Sequence, residues 1–247
     1  MKLLALLGFM FAVTGFSMVM ARGDDATPTP GKQVPQEFEY DGKTVHYLLF
    51  LPKDYGVSDK ERKWPLMLFL HGAGERGEGN FELVKVHGPP KIVESKPEFP
   101  FILVSPQCPP GQRWKAATLL ALLDKVESQF SIDKNRVCVT GLSMGGYGTW
   151  SLVAAAPERF AAAVPICGGG NAGDAEKFKG VPFRVYHGDQ DRAVPVTRSR
   201  EMVEALKKAG GRVEYTEYEG VGHDSWTRTY AADELYDWLL KQSRPAD

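Results

Sequence analysis

The segment VCVTGLSMGGYGTW, residues 137–150, places one serine, Ser143, at the centre of the pentapeptide GLSMG. Apolar residues precede it and helix-compatible residues follow. A G-x-S-x-G pattern between a strand and a helix is a nucleophile elbow, a turn so tight that the serine takes strained backbone angles and its hydroxyl projects above the sheet edge. Glycine occupies both flanking places because a side chain there would collide with the turn. The helix that begins at the serine also puts backbone N–H groups and a positive dipole end beneath the reacting oxygen. Alone, the pentapeptide also fits a structural Gly-Ser turn. The strand before it and the helix after it favour the elbow.

A serine hydroxyl is a poor nucleophile until a base takes its proton. The chain has five histidines. His46 lies in an early strand, His71 and His187 end strands in "LHG" and "YHG", and His87 sits in "KVHGPP". His223, in the glycine-rich "EGVGHDSW", stands downstream of the serine in a loop between the last strand and the last helix. It is the candidate base. The imidazole needs a carboxylate to orient it and to favour its charged form. "HGDQDRAVP" offers Asp189 and Asp191. Asp191 is far enough past the strand end to turn back toward the base, whereas Asp189 reads as a turn former. Asp224, adjacent to His223, is poorly placed to bond the ring.

The tetrahedral intermediate of acyl transfer carries an oxyanion that needs donors. The N–H of Met144, just after the nucleophile, is one. The loop "HGAGERG", residues 71–77, is expected to supply the other from Ala73, with Gly74 as the alternate. A simple glycine turn is the competing reading of that loop. Glu75 and Arg76 either pair beside it or are solvated.

These groups need a scaffold. Two alternating segments, "EFEY" and "TVHYLLFL", joined by "DGK", read as a hairpin. Nearly continuous apolar runs follow: "PLMLFLHG", "FILVSP", "RVCVTG", "AAAVPI", "PFRVYHG" and "RVEYTEY". Such runs belong to parallel strands covered on both faces by helices. Helical spacing appears over residues 115–130, 144–156, 196–209 and 229–241. The alternation predicts a single α/β domain: an eight-stranded, mostly parallel sheet flanked by helices, with the first two strands antiparallel.

Composition narrows the function classes. The 247 residues are 43% hydrophobic and carry a net charge of -1, with no basic stripe for nucleic acid and no charged tail. Residues 1–21 begin with Met-Lys, continue through an apolar run and end in "VMA", the order of a secretory signal peptide. The run is about long enough for a membrane anchor, which needs roughly 20 apolar residues, but the polar segment after it favours cleavage. The protein is therefore expected to be secreted or periplasmic, without stable membrane insertion. Residues 22–36 have the Pro/Thr/Gly/Asp composition of a disordered linker, leaving residues 37–247 as the catalytic domain. Cys108, Cys138 and Cys167 make no disulfide framework, and no C-x-x-C or clustered His/Cys pattern calls for a metal or another cofactor.

With "LHGAGERG", "SPQCPPGQRW", "GLSMGGYGTW", "HGDQDRAVP" and "GHDSW" in this order, the chain resembles the α/β-hydrolase superfamily over residues 36–241. Within it the chain is similar to a secreted bacterial carboxylesterase group, often labelled predicted peptidases. That group is related to the phospholipase/carboxylesterase, dienelactone hydrolase and polyhydroxybutyrate-depolymerase/feruloyl-esterase lines. The order Ser143, Asp191, His223 matches that superfamily's triad order. The resemblance implies a serine hydrolase of the carboxylic ester class, acting on short-acyl or carbohydrate-linked esters through an acyl-enzyme. A serine peptidase on short peptides and a non-catalytic binding protein on the same fold are the alternatives.

"CGGGNAGDAEKFKG", between the sixth and seventh strands, is too short for a helical cap, so the cap should be minimal and the site open. Residues 81–99 are expected to form one wall. Trp114 and Trp226 flank site loops, where they either bind substrate or pack at loop bases.

Overall fold

The computed structural model describes residues 28–57, 59 and 61–245. The signal-peptide expectation for residues 1–21, and residues 22–27 of the expected linker, lie outside the described residues. Among the described residues no helix is long and apolar enough to cross a membrane.

One sheet of eight strands organises the molecule, in the order β1-β2-β4-β3-β5-β6-β7-β8. The strands are β1 (Gln33–Tyr40), β2 (Lys43–Phe50), β3 (Trp64–Leu70), β4 (Ile102–Pro106), β5 (Ile132–Leu142), β6 (Ala162–Ile166), β7 (Phe183–Gly188) and β8 (Val213–Tyr218). β2 pairs antiparallel with both β1 and β4. The pairs from β4 through β8 are all parallel, so β2 alone runs against the rest.

The apolar runs are continuous because each sheet face has its own cover. On one face, Leu66, Leu68, Val104, Val137 and Val139 pack under α3 (Ala116–Gln129), α4 (Met144–Ala155) and α6 (Thr197–Lys208). On the other, the alternate residues Met67, Phe69, Leu103 and Cys138 pack against Val93 and Leu239. Those two belong to α2 (Gly88–Val93) and α8 (Asp233–Leu240). Period-two alternation thus feeds two cores instead of one core and solvent. The remaining helices are short: α1 (Phe81–Val84), α5 (Ala175–Phe178) and α7 (Trp226–Tyr230).

Two expectations need correction. The linker was expected to reach residue 36, but β1 begins at Gln33, and Gln33, Val34, Pro35 and Gln36 pair with Phe50, Leu49, Leu48 and Tyr47. The polar composition conceals an edge strand, which is held by backbone bonds and tolerates proline. The last helix, expected over residues 229–241, is two helices. Ala232 is extended (φ −85°, ψ 115°), and Asp233 and Glu234 open the first turn of α8. The break lets Tyr236 Oη donate to Tyr230 O at 2.9 Å. No glycine or proline marks it.

The order β4-β3-β5 is where the chain reverses its direction of travel across the sheet. Ligands of open α/β sheets bind at such a point, outside the carboxyl ends of the strands. The loops that flank it are those after β3 and β5, the segments that begin at His71 and Ser143.

Candidate active site

Ser143 caps α4 with φ 52° and ψ −114°, a left-side conformation that a residue with a Cβ adopts only under constraint. The constraint is close packing. A Cβ on Gly145 would lie 1.8 Å from Leu70 O, and one on Gly141 would lie 2.4 Å from Gly145 O. Only glycine lets α4 start this close to β3. The Ser143 N–H donates to Ile166 O at 2.9 Å, tying the elbow to β6.

The three residues singled out in the sequence meet. His223 Nε2 lies 2.9 Å from Ser143 Oγ, and His223 Nδ1 lies 2.6 Å from Asp191 Oδ2. With Nδ1–H donating to the carboxylate, Nε2 is free to accept the serine proton. Asp191 Oδ1 accepts the backbone N–H groups of Ala193 (2.8 Å) and Val194 (2.9 Å). Burial pushes the Asp191 carboxyl up, but the bonds from His223, Val194 and Ala193 outweigh it and hold it below its ordinary value. The group therefore stays ionised. His223 engages Asp191, not Asp189, whose N–H bonds Tyr218 O. Asp224 takes a different part, accepting from Thr227 N (3.0 Å) and Thr227 Oγ1 (2.9 Å) at the start of α7.

The loop after β3 is clamped beside the serine. His71 Nδ1–H donates to Gly72 O (2.6 Å), while Nε2 accepts the Cys108 N–H (3.0 Å). Gln107 is buried and donates from Nε2 to Glu75 O (3.0 Å) and Asn80 O (2.8 Å), while its Oε1 accepts from Gly79 N (2.9 Å). A Cβ on Gly72 would stand 3.7 Å from Ser143 Cβ, so the loop after β3 passes beside the nucleophile at Gly72. Met144 is the first residue of α4 and has no intrahelical acceptor for its N–H. Gly72, in the loop after β3, and Met144, at the start of α4, lie on two elements beside the serine, and the N–H groups of Met144 and Ala73 stay candidates for the oxyanion site.

The sequence model of the dienelactone hydrolase family matches residues 111–236, just over half of the chain and a stretch containing all three residues. The chain belongs to the dienelactone hydrolase family. This family member is also similar to a thermostable esterase of known structure, at 37% identity and a TM-score of 0.76 over 87% of this chain and 64% of that one. A ferulic acid esterase shares the fold, at 19% identity and a TM-score of 0.63 over 84% of this chain and 95% of that one. In sequence, poly(3-hydroxyalkanoate) depolymerase C of Paucimonas lemoignei is 42% identical over 55 residues, 22% of this chain and 13% of that protein. The bifunctional acetylxylan esterase/xylanase XynS20E of Neocallimastix patriciarum is 26% identical over 144 residues, 56% of this chain and 21% of that protein. The chain spans a quarter or less of these two curated relatives, and under two thirds of the thermostable esterase.

The two tryptophans of this dienelactone hydrolase family member have different parts. Trp226 meets the His223 ring edge-on, with centroids 5.2 Å apart, and lies beside the reacting groups. Trp114 instead donates from Nε1 to His71 O (3.1 Å) and packs against α4, where a Cβ on Gly148 would lie 2.7 Å from its ring. It braces the β3 loop against the helix. Residues 81–99 contribute His87, whose ring lies 5.4 Å from that of Trp226. Among the described residues Glu75 and Arg76 form no ion pair with each other. Glu75 lies between His71 and His87, and Arg76 reaches Met144 Sδ at 2.9 Å.

In the sequence His187 marks only a strand end, yet it lies behind the triad. Its Nε2 approaches Asp191 Oδ2 (3.1 Å) and Val194 O (2.9 Å), and its Nδ1 is 2.7 Å from Ser199 Oγ. Burial lowers its pKa, which favours a neutral ring donating from Nε2. The signal was in the spacing: His187 and Asp191 are four residues apart at the end of β7. Cys167 also lies under the site, its Sγ in a cluster with Asp191 and His223 whose ligand atoms all fall within 4.8 Å. Burial pushes that thiol up to about 12, so it stays protonated and does not compete with Ser143. The Asp191 and His223 atoms in the cluster are already bonded to each other, leaving them poorly disposed to share an ion.

His71 makes stability depend on pH. Burial lowers its pKa from 6.5 to about 4. Between those values the unfolded chain binds a proton that the folded chain excludes, so stability falls as pH drops. The full effect is about 3 kcal/mol. Urea midpoints measured from pH 7 to pH 4 should decline more steeply for wild type than for His71→Asn.

Proposed function

We infer that this protein is a serine carboxylesterase that cleaves carboxylic esters through an acyl-enzyme on Ser143. The observation that carries the reading is the continuous relay from Ser143 Oγ through His223 to Asp191, with contacts of 2.9 and 2.6 Å. His223 Nε2 takes the hydroxyl proton as Oγ attacks the ester carbonyl. The Met144 and Ala73 N–H groups receive the oxyanion, each such donor being worth about 2.7–4 kcal/mol of barrier. Asp191, kept ionised, balances the imidazolium, which then protonates the leaving alcohol. Water repeats the sequence in reverse roles to release the acid.

Short-acyl and carbohydrate-linked esters, such as acetyl and feruloyl esters, are the proposed substrates. One feature of the site supports them. β6 and β7 are joined only by a 3₁₀ turn at Ala172–Asp174 and α5, whose Phe178 is buried against Trp150 and Phe183. No helical cap stands there to exclude a bulky alcohol. The named activities of the esterase relatives add support. The signal-peptide pattern supports export, where polysaccharide esters would be met.

The test compares purified protein on p-nitrophenyl acetate, methyl ferulate and aminoacyl p-nitroanilides. Ester turnover should exceed nitroanilide turnover by orders of magnitude. The reverse order would replace this reading with a peptidase.

A further inference from the structure

The relay from Ser143 to Asp191 makes no use of His187, yet this buried imidazole touches the same carboxylate oxygen as His223. Its Nε2 stands 3.1 Å from Asp191 Oδ2 and 2.9 Å from Val194 O. An ionised carboxylate and a carbonyl oxygen only accept. Nε2 must therefore carry a hydrogen, whatever the state of Nδ1. On its other side, Nδ1 lies 2.7 Å from Ser199 Oγ of α6, and that hydroxyl lies 3.0 Å from Gly168 O, just past β6. The ring thus ties the end of β7 to two neighbouring segments and to the turn that bears Asp191.

The two oxygens of Asp191 have separate duties. Oδ1 is committed to its own turn, through the N–H groups of Ala193 and Val194. Oδ2 faces the two imidazoles, and among the described residues no other side chain hydrogen-bonds it. Val194 is gripped twice, its N–H by Asp191 and its carbonyl by His187. Loss of the His187 donor would leave Oδ2 and Val194 O each one partner short and would loosen the turn. The other groups that face His187 are answered elsewhere. Glu217, its register partner on β8, is paired with Arg200 of α6 and accepts from Tyr215 Oη at 2.8 Å. Cys167 stays a thiol.

A donor on Oδ2 also draws on the negative charge that steadies the His223 imidazolium. We propose that His187 is a positioning residue for the reaction: its Nε2–H holds Asp191 in place and takes a share of the Oδ2 charge that His223 would otherwise have to itself. This rests on the serine-hydrolase reading above.

The experiment separates the two ring nitrogens. A glutamine at position 187 can place its amide nitrogen where Nε2 stands. An asparagine is one methylene shorter, so its amide reaches the place of Nδ1 and leaves Asp191 without the donor. Hydrolysis of p-nitrophenyl acetate is followed across the acid limb of kcat/KM, where the base of the free enzyme takes up a proton. Rates are expressed per Ser143 labelled by a fluorophosphonate, so that unfolded molecules do not count. In His187→Asn the limb should move to higher pH by about 0.5–1 unit, the worth of one hydrogen bond, because the unshared carboxylate favours the imidazolium. Its kcat should fall about 10-fold with KM little changed. His187→Gln should bring the limb back toward its wild-type position. Ser199→Ala keeps the imidazole but removes the bond that polarises it, and should move the limb the same way by less. A limb that stays in place or moves to lower pH in His187→Asn would overturn the proposal, even with a fall in kcat, since His187 would then be structural only. So would a His187→Gln limb displaced as far as that of His187→Asn. If His187→Asn does not fold, Ser199→Ala decides, and an unmoved limb overturns the proposal. Each of these results leaves the hydrolase reading standing; wild type that neither hydrolyses the ester nor takes the label removes that reading as well.

Discussion

His223→Ala is expected to lower kcat for p-nitrophenyl acetate by on the order of 10⁶-fold, because among the described residues no other side chain hydrogen-bonds Ser143 Oγ to take its proton. Cys167, under the site, is held as a thiol, and His187 is buried behind Asp191 with its own partners. The variant should fold, since the His223 side chain is 27% exposed and belongs to neither packed core. Asp191→Asn should cost less, about 10⁴-fold, because the base survives but loses the group that fixes its tautomer and balances its charge. A His223→Ala enzyme with more than one-hundredth of wild-type kcat would mean that proton transfer runs through another residue. Steady-state kinetics on variants freed of wild-type contamination decide the matter.

Gly145→Ala should be the most damaging single methyl group in the protein. The added carbon would sit 1.8 Å from Leu70 O and 2.8 Å from His71 O, both backbone atoms of the β3 end. Neither can yield by rotating a side chain, so α4 would have to part from the sheet. A loss exceeding about 4 kcal/mol is expected, a large share of the 5–15 kcal/mol that typically holds a domain together. Gly180→Ala is the control, since a Cβ there meets nothing within 4 Å. Thermal unfolding of the two variants checks the contrast. A Gly145→Ala protein that melts with wild type would show that the elbow is looser than its packing implies.

The elements that build the elbow were legible because their signal is local. β3 through β7 announce themselves as apolar runs, and the glycines at 141 and 145 mark a turn with no room for side chains. The triad followed from order along the chain: His223 is the histidine in a loop after the serine, and Asp191 lies far enough past β7 to reach it. Less was legible where long-range pairing decides. Residues 33–36 form an edge strand through backbone bonds that their polar side chains do not advertise. The break at Ala232 answers to the Tyr236–Tyr230 bond, not to a breaker residue. Gln107 and His187 hold the site through contacts made only once the strands are side by side. Trp114 and Trp226 read alike in the sequence, and only their placement separates a loop brace from a neighbour of the catalytic imidazole.

Reaction with a fluorophosphonate, followed by mass spectrometry of the intact and digested protein, tests most directly whether Ser143 is the nucleophile. One covalent adduct is predicted, carried by the peptide that contains Ser143, absent in Ser143→Ala and slowed severely in His223→Ala. An adduct on a different residue, or a folded wild-type protein that takes up no label, would contradict the account.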